Sequence, residues 1–270
     1  HRYRGNVFNY AQFNFTPTLS IRSTVGVDFF LDRRDNFTPA ILDPRNFANG
    51  VTRGDQRQTL TYQVQQDNTL NYIQSFGDHD ISGFAGMQLL RRKVDNFKYD
   101  AEFNNDLIQT WNNAINDLSI DPGNPEQNNT VLIDTQGGDR TQIVTSGLFS
   151  LFGGFNYDYA NKYLVGATIR RDGSSSFGSG NKYGYFPSAT LGWRVSKENF
   201  LKDSDFIKNL MIRASWGITG NERITPYSFS TTLGPSSQGG FVPLTLGNSD
   251  IKWEESESKN LGLELSFFKG

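Results

Sequence analysis

The run most suggestive of chemistry is "GSGNKYG", Gly178 to Gly184, which carries the glycines and lysine of a phosphate-cradling loop. Such a loop needs the order G-x-x-x-x-G-K-[ST] and a following helix whose first amides face the anion. That order is missing, and Pro187 stands where the second turn of the helix would begin. Nucleotide binding is therefore not supported. With no cysteine, thiol chemistry, disulfides and thiolate metal sites are excluded, and His1 and His79 are too few for a histidine zinc site. Acids and serines are plentiful, but there is neither a strand–nucleophile–helix elbow nor an H-E-x-x-H run to arm them. No catalytic residue is assigned, no cofactor is expected, and the chain reads as a non-enzyme.

Aromatic rings offer binding rather than bond-making. Tyr183, Tyr185, Phe186, Tyr227 and Phe241 fall in segments read as long loops, where ring faces can stack on sugars or peptide side chains, or pack the loops together. Tyr62, Tyr157, Tyr159 and Tyr163, with Trp193, Trp216 and Trp253, fall near strand ends and suit the interfacial girdles of a membrane barrel.

The elements that must position these residues are strands. "LSIRSTVGVDFF" puts Ile21, Val25, Val27 and Phe29 on one face and Arg22, Thr24 and Asp28 on the other. "SATLGWRVS" and "KNLMIRASWG" alternate in the same way. This period of two predicts strands over 6–15, 18–31, 57–76, 80–92, 146–158, 162–171, 187–197, 209–218 and 251–268. The connections then sort by length: short at 16–17, 77–79, 159–161 and 198–208, long at 32–56, 93–145, 172–186 and 219–250. An up-and-down barrel has one rim of short turns and one of long loops. Alternation alone also fits a soluble antiparallel sheet with one wet face, so a glycan-binding or adhesive β-sandwich stays open at this point.

Composition bounds the rest. A hydrophobic share of 36% would ordinarily mean a soluble protein, but a membrane barrel hides only one face of each strand in lipid. The uncharged stretch worth checking as a span, 141–157, contains Gly153 and Gly154 and is no membrane helix. Acidic and basic residues are mixed throughout, without a basic tract for nucleic acid. Residues 93–145 differ, with nine acids against three bases. Within them Phe103, Leu107, Trp111 and Leu118 recur at helical spacing, which predicts a short amphipathic helix in an acidic loop. "DPGNPEQNN" after it lacks the spacing of a calcium loop, so no metal ligands are assigned. The chain opens on "HRYRGNVFNY" and closes on "LELSFFKG", both patterned, as an internal stretch of a longer chain would, and no signal peptide is expected within it.

Residues 157–201, "YDYANKYLVGATIRRDGSSSFGSGNKYGYFPSATLGWRVSKENFL", and 207–229, "IKNLMIRASWGITGNERITPYSF", closely resemble the SusC/RagA family of TonB-dependent outer-membrane transporters. "TLNYIQSFGDHDISGFAGMQ", "LFSLFGGFNYDY" and "IKWEESESKNLGLELSFF" resemble neighbouring barrel segments of that family. Residues 1–56 fit by strand pattern only. The resemblance implies an all-β fold, with residues 1–270 contributing about nine strands of a 22-stranded transmembrane antiparallel barrel and without the plug domain. It implies location in the outer membrane of a Gram-negative bacterium, contact with its lipid, and no nucleic-acid partner. It further implies import of an oligosaccharide or peptide beneath a SusD-like surface lipoprotein, energised by TonB through a segment not present in these residues. A siderophore receptor or a passive porin is the alternative within the membrane class. In that frame 93–145 is an extracellular loop. Arg170, Arg171 and Asp172 end an ascending strand at the outer rim, Gly173 begins the bend, and Pro187 starts the descent. Asp172 is expected to pair with Arg170 or Arg171, or to accept backbone N–H bonds.

Overall fold

The computed structural model describes residues 1–38, 52–103, 132–133, 141–224, 227–236 and 239–268. Backbone pairing organises them into one large sheet and a separate small hairpin. In chain order the strands are β1 (Arg2–Asn14), β2 (Leu19–Thr38), β3 (Thr52–Phe76), β4 (His79–Phe103), β5 (Leu132–Ile133), β6 (Thr141–Tyr159), β7 (Tyr163–Ser174), β8 (Tyr183–Arg194), β9 (Ile207–Asn221), β10 (Thr232–Pro235), β11 (Phe241–Thr245) and β12 (Glu254–Phe267). The sheet order is β1-β2-β3-β4-β6-β7-β8-β9-β12, with β5 added to β4, while β10 and β11 pair with each other. All nine expected strands are present, each beside its neighbour in the chain. The sheet is continuous and unclosed, rather than two layers enclosing a dry core, which removes the β-sandwich.

Where the sequence read short connections, four residues (15–18), two (77–78) and three (160–162) join the strands, and a longer link with a 3-10 turn covers 195–206. Gly77 has φ +57°, which a Gly-first hairpin turn between β3 and β4 demands. Between β6 and β7, Ala160 and Asn161 both have φ 53°, and the Lys162 amide donates to the Tyr159 carbonyl at 2.9 Å. Neighbouring turns are stitched together. The Ala160 amide donates to Asp78 O at 2.6 Å, and the Arg194 amide to Lys162 O at 2.7 Å. Glu198, just beyond the 3-10 turn Val195–Lys197, joins this layer. It accepts the Tyr163 hydroxyl at 2.5 Å, the Trp193 indole N–H at 3.2 Å and the Lys162 ammonium at 3.3 Å.

The strands at the other side of the alternation overshoot the sequence expectation. β2, β3 and β4 run for 20, 25 and 25 residues, well into the segments read as loops at 32–56 and 93–145. Alternation fails as a guide there because both faces carry polar residues, yet the backbone ladder continues. The helix expected within 103–118 lies outside the described residues, as does most of the acidic segment.

Contacts divide the chain into two units. One holds residues 1–7, 27–63 and 92–145, and it is knit by charged and amide side chains. Arg4 pairs with Asp28 at 2.8 Å, Asn36 donates to Asp55 at 3.2 Å, Gln56 to Asp35 at 2.8 Å, and Thr59 to Asn96 at 2.9 Å. Exposed ion pairs such as Arg4–Asp28 add little to stability, because water screens them. Their value is register: a cross-strand partner displaced by one residue points to the opposite face.

The other unit holds residues 8–26, 64–91 and 146–270, and its ladders define two faces. Across β7 and β8, Tyr163 opposes Trp193, Val165 opposes Leu191, Ala167 opposes Ala189 and Ile169 opposes Pro187. The apolar face continues through Ala214–Leu261 and Ile212–Leu263 between β9 and β12. On the opposite face lie the pairs Gly166–Thr190, Thr168–Ser188, Ser215–Asn260 and Arg213–Gly262. Glycines on that polar face let rings lie flat along the sheet. A Cβ on Gly86 would strike the Phe152 ring, and one on Gly154 would come 2.8 Å from the Ala167 carbonyl.

The Glu198 node yields a pH prediction. Its carboxyl is held below the ordinary carboxylate value of 4.5, first by the Tyr163 hydroxyl, then by Trp193 and Lys162. A lowered folded pKa stabilises above the ordinary value and is lost only as pH falls through the lower one. The emission component removed by Trp193→Phe should therefore stay constant from neutral pH to below 4.5 and then shift, while Glu198→Gln abolishes the transition.

Candidate functional site

Consecutive residues at the top of β7 point to opposite faces, and that alternation builds the site. Arg170 lies on the polar face. Its Nε donates to Asp172 at 2.6 Å, and its Nη2 donates to Gln88 Oε1 at 2.5 Å and to Ser150 Oγ at 2.8 Å. Asp172 and Ser150 are buried. The network therefore ties β4, β6 and β7 together, with the Arg170 guanidinium 5.5 Å from the centre of the Phe152 ring. Of the partners expected for Asp172, the ladder selects Arg170, because residues two apart in a strand share a face. Arg171 faces the other way and stacks on Tyr183 at 3.9 Å.

The connection after β7 is anchored rather than free. Ser174 is buried, its amide donates to Lys182 O at 3.0 Å, and its hydroxyl accepts the Ser176 amide at 3.1 Å. Ser175 exchanges bonds with Gly147, giving its amide at 2.9 Å and accepting the Gly147 amide on its hydroxyl at 2.8 Å. Phe177 is 0% exposed and lies 5.1 Å from Trp253, which in turn meets Phe186 at 5.3 Å. The Trp253 indole donates to Lys182 O at 3.0 Å, while Leu148, Ile218, Ile224 and Ile251 close around the three rings. The "GSGNKYG" run is thus part of a hydrogen-bonded rim built on an aromatic cluster, and no helix follows it.

The expected ligand-contact residues separate into three environments. Tyr183 and Tyr185 sit in β8 rather than in a loop, paired with Gly173 and Arg171, on the apolar face. Phe186 also belongs to β8, opposite Arg170 on the polar face, and is buried in the ring cluster with no open face for a ligand. Its ring covers Gly184 and Gly220, where β8 has lost its partner β9. Tyr227 and Phe241 remain exposed in the segment that carries the small hairpin, at 49% and 75%. Among the described residues they have no ring contact with the other three.

Trp253, read as a girdle residue, is instead buried in the cluster. Gly173, expected to begin the bend, is still within β7, one residue before its end and under the Tyr183 ring. Pro187 lies within β8 rather than at its start: residues 183–187 have a ladder partner in β7 alone, so a missing N–H interrupts no pairing with β9. Gln88, Ser150 and Phe177 carry the site without having been singled out by sequence. For Phe177 the signal was weak, a single large ring in a serine–glycine run. No group of metal-ligating side chains occurs among the described residues.

Two substitutions test this arrangement in the full-length protein. Phe177→Ala removes the most buried ring, a loss of about 3–5 kcal/mol, and should expose Lys182 to trypsin while the wild type resists. Asp172→Ala leaves Arg170 without its carboxylate, so the fraction with heat-resistant gel mobility should fall and Asp172→Asn should recover part of it. Normal assembly with selective loss of substrate binding would make Asp172 a ligand contact instead.

The whole chain, residues 1–270, matches the family described as TonB dependent receptor-like, beta-barrel. TonB-dependent receptor P39 of Formosa agariphila is 38% identical over 274 residues, covering 99% of this chain and 25% of that protein. TonB-dependent receptor SusC of Bacteroides thetaiotaomicron is 28% identical over 285 residues, covering 98% and 25%. The chain thus spans about a quarter of the length of the curated relatives it matches. Among solved structures, the RagAB peptide transporter superposes over 99% of this chain and 28% of its own with a TM-score of 0.78 at 21% identity. The siderophore receptor PiuA from Acinetobacter baumannii gives 0.52 at 13% identity, over 97% and 38%. A sheet with one apolar and one polar face, sorted connections and a family match along its full length have one common explanation: the chain belongs to the TonB-dependent receptor-like β-barrel family.

Proposed function

We propose that the chain forms part of the wall and outer rim of an outer-membrane importer in a Gram-negative bacterium. The transported solute is a large nutrient, an oligosaccharide or peptide, captured beneath a SusD-like surface lipoprotein and moved at the expense of TonB-transmitted energy. The observation that carries this reading is the split of the sheet into two faces of opposite chemistry. Tyr163 and Gly173 are ten residues apart on β7, with Tyr163–Trp193 at one end and the Tyr183 ring over Gly173 at the other. Ten residues of strand rise roughly 33 Å, and at a tilt near 40° they span about 25 Å, the height of an apolar band between aromatic girdles. The polar face, with Thr190, Arg213, Ser215 and Asn260 around an open groove, suits a water-filled or plugged lumen.

Likeness to SusC and to the RagAB peptide transporter supports nutrient import over siderophore uptake, since the fold agreement with RagAB is much the better. The present residues supply a rigid wall and a fixed rim; no covalent step is required of them. Tyr227 and Phe241, exposed in the β9–β12 connection, are the ring faces left for a solute after Phe186 is enclosed and Tyr183 and Tyr185 turn to the apolar face.

The test uses the full-length protein with its neighbouring lipoprotein in cells. Labelled oligosaccharide or peptide should enter, entry should stop with an uncoupler or on loss of TonB, and the lipoprotein should co-purify. Tyr227→Ala with Phe241→Ala should weaken capture without loss of assembled barrel. Entry unaffected by the uncoupler would indicate a passive porin, and uptake confined to ferric chelates would indicate a siderophore receptor; either outcome overturns the proposal.

A further inference from the structure

On β7 the apolar face carries a cation, Arg171, that no carboxylate neutralises among the described residues. Arg171 sits on the same face as Tyr163, Val165, Ala167 and Ile169, flanked in the ladder by Leu151 on β6 and Tyr185 on β8. Its guanidinium carbon stands 3.9 Å from the centre of the Tyr183 ring and 5.8 Å from that of Tyr185. Its Nε is covered and has no hydrogen-bond partner. No carboxylate among the described residues lies within ion-pair distance of it, although Asp172 is next in sequence, because that acid is turned to the other face and bound to Arg170. By contrast Lys259, on the apolar face of β12 through its pairing with Trp216, meets Glu257 at 3.0 Å.

A charged group on a lipid-facing surface needs either burial against a counter-charge or a place at the headgroup layer. Arg171 is eight residues above Tyr163 and two below Gly173. On the membrane reading given above, on which this inference rests, that is about 5 Å below the upper girdle, a distance a long arginine side chain spans to reach the outer headgroups. The planar guanidinium, stacked on Tyr183 with Tyr185 beside it in the ladder, has two Nη groups that form a fork for a bidentate acceptor, and phosphate oxygens match that fork. The two hydroxyls provide further donors at the same level.

We propose that Arg171, Tyr183 and Tyr185 form a binding site for the phosphorylated headgroup of an outer-leaflet lipid, on the outside of the barrel. The site binds a membrane component at the rim whose polar side carries the Arg170–Asp172 network, and it takes no part in holding the transported solute. The Tyr rings orient the cation by stacking, and the phosphate supplies the negative charge that the chain lacks on this face.

The test is retention of lipid by full-length protein extracted from membrane, stripped by detergent exchange and offered diphosphoryl lipid A in mixed micelles, with bound lipid read by native mass spectrometry. Wild type should retain one more lipid A than Arg171→Gln, whose affinity should fall roughly tenfold or more. Arg171→Lys should retain an intermediate amount, because the charge survives but the fork does not. Lys259→Gln should behave as wild type. Tyr183→Leu, which leaves the charge in place, should also weaken retention, so the site remains testable if Arg171→Gln assembles poorly; heat-resistant gel mobility identifies assembled protein. Equal retention by wild type and assembled Arg171→Gln would overturn the proposal, as would displacement of lipid A by millimolar inorganic phosphate, which would mark a free-anion site. Lipid retention is read apart from import. An assembled barrel that keeps lipid A but imports nothing leaves this site standing and removes the transport reading, whereas failure of lipid retention alone removes only the site.

Discussion

Continuous backbone pairing between adjacent strands is the constraint on which every other feature of this chain depends. In hydrocarbon an unpaired N–H or C=O costs several kcal/mol, so a sheet can line a membrane only where each strand satisfies its neighbours on both sides. From β2 to β9 the large sheet is a meander in chain order with a neighbour on each side of every strand, β5 apart, although residues 183–187 of β8 pair with β7 alone. β1 and β12 have one partner each, and their residues are exposed throughout. Those two edges need further strands for a closed wall, in keeping with relatives about four times the length of this chain.

Pairing also fixes which side chains meet. Once Tyr163 opposes Trp193, every second pair along β7 and β8 is committed to the same face, up to Arg171–Tyr185 and Gly173–Tyr183. The pleat then demands chemistry of each position. Positions toward the apolar face are aliphatic in the middle and aromatic at both ends. Positions toward the polar face are mostly small or hydrogen-bonding; large apolar side chains there lie over glycines, as Phe152 does over Gly86, Phe186 over Gly220, and Leu164 and Met211 over Gly192. Glycine is useful in these strands because it clears space for a neighbour's ring against the sheet, and those rings then restore the apolar contact that the glycine lacks.

This logic decides what could be read from the sequence. The nine strands were legible because alternation between an apolar and a polar face is strong, and the connections were legible because proline, glycine and asparagine interrupt it. Strand ends in water were not. Residues 32–38 and 93–98 continue their strands with Arg33, Asp35, Lys93 and Asp95, whose polarity reads as loop although the ladder persists. The phase of Tyr183 and Tyr185 was available: counting back by twos from Trp193, Leu191 and Ala189 reaches both, and the same count puts Phe186 with Ser188 and Thr190. Reading the region as a loop set that count aside. Burial of Phe177 and Trp253 depends on contacts between segments more than 70 residues apart, which no local pattern encodes.

The pair Arg170 and Arg171 shows how little sequence separates two different jobs. Both are arginines, adjacent, at the top of one strand. Arg170 meets a buried carboxylate, a serine and an amide, so its charge is spent inside the sheet's polar network, where it locks three strands at the rim. Among the described residues Arg171 stacks on tyrosine rings and meets no carboxylate; such rings attract a cation without neutralising it. Exchanging their neighbours would reverse the roles, because the side chains themselves are identical. What distinguishes them is the pleat, and Asp172, one residue farther along, can satisfy only the arginine that shares its face. The network of the first arginine fixes the end of β7 against β4 and β6, and with it the position of the second on the opposite face.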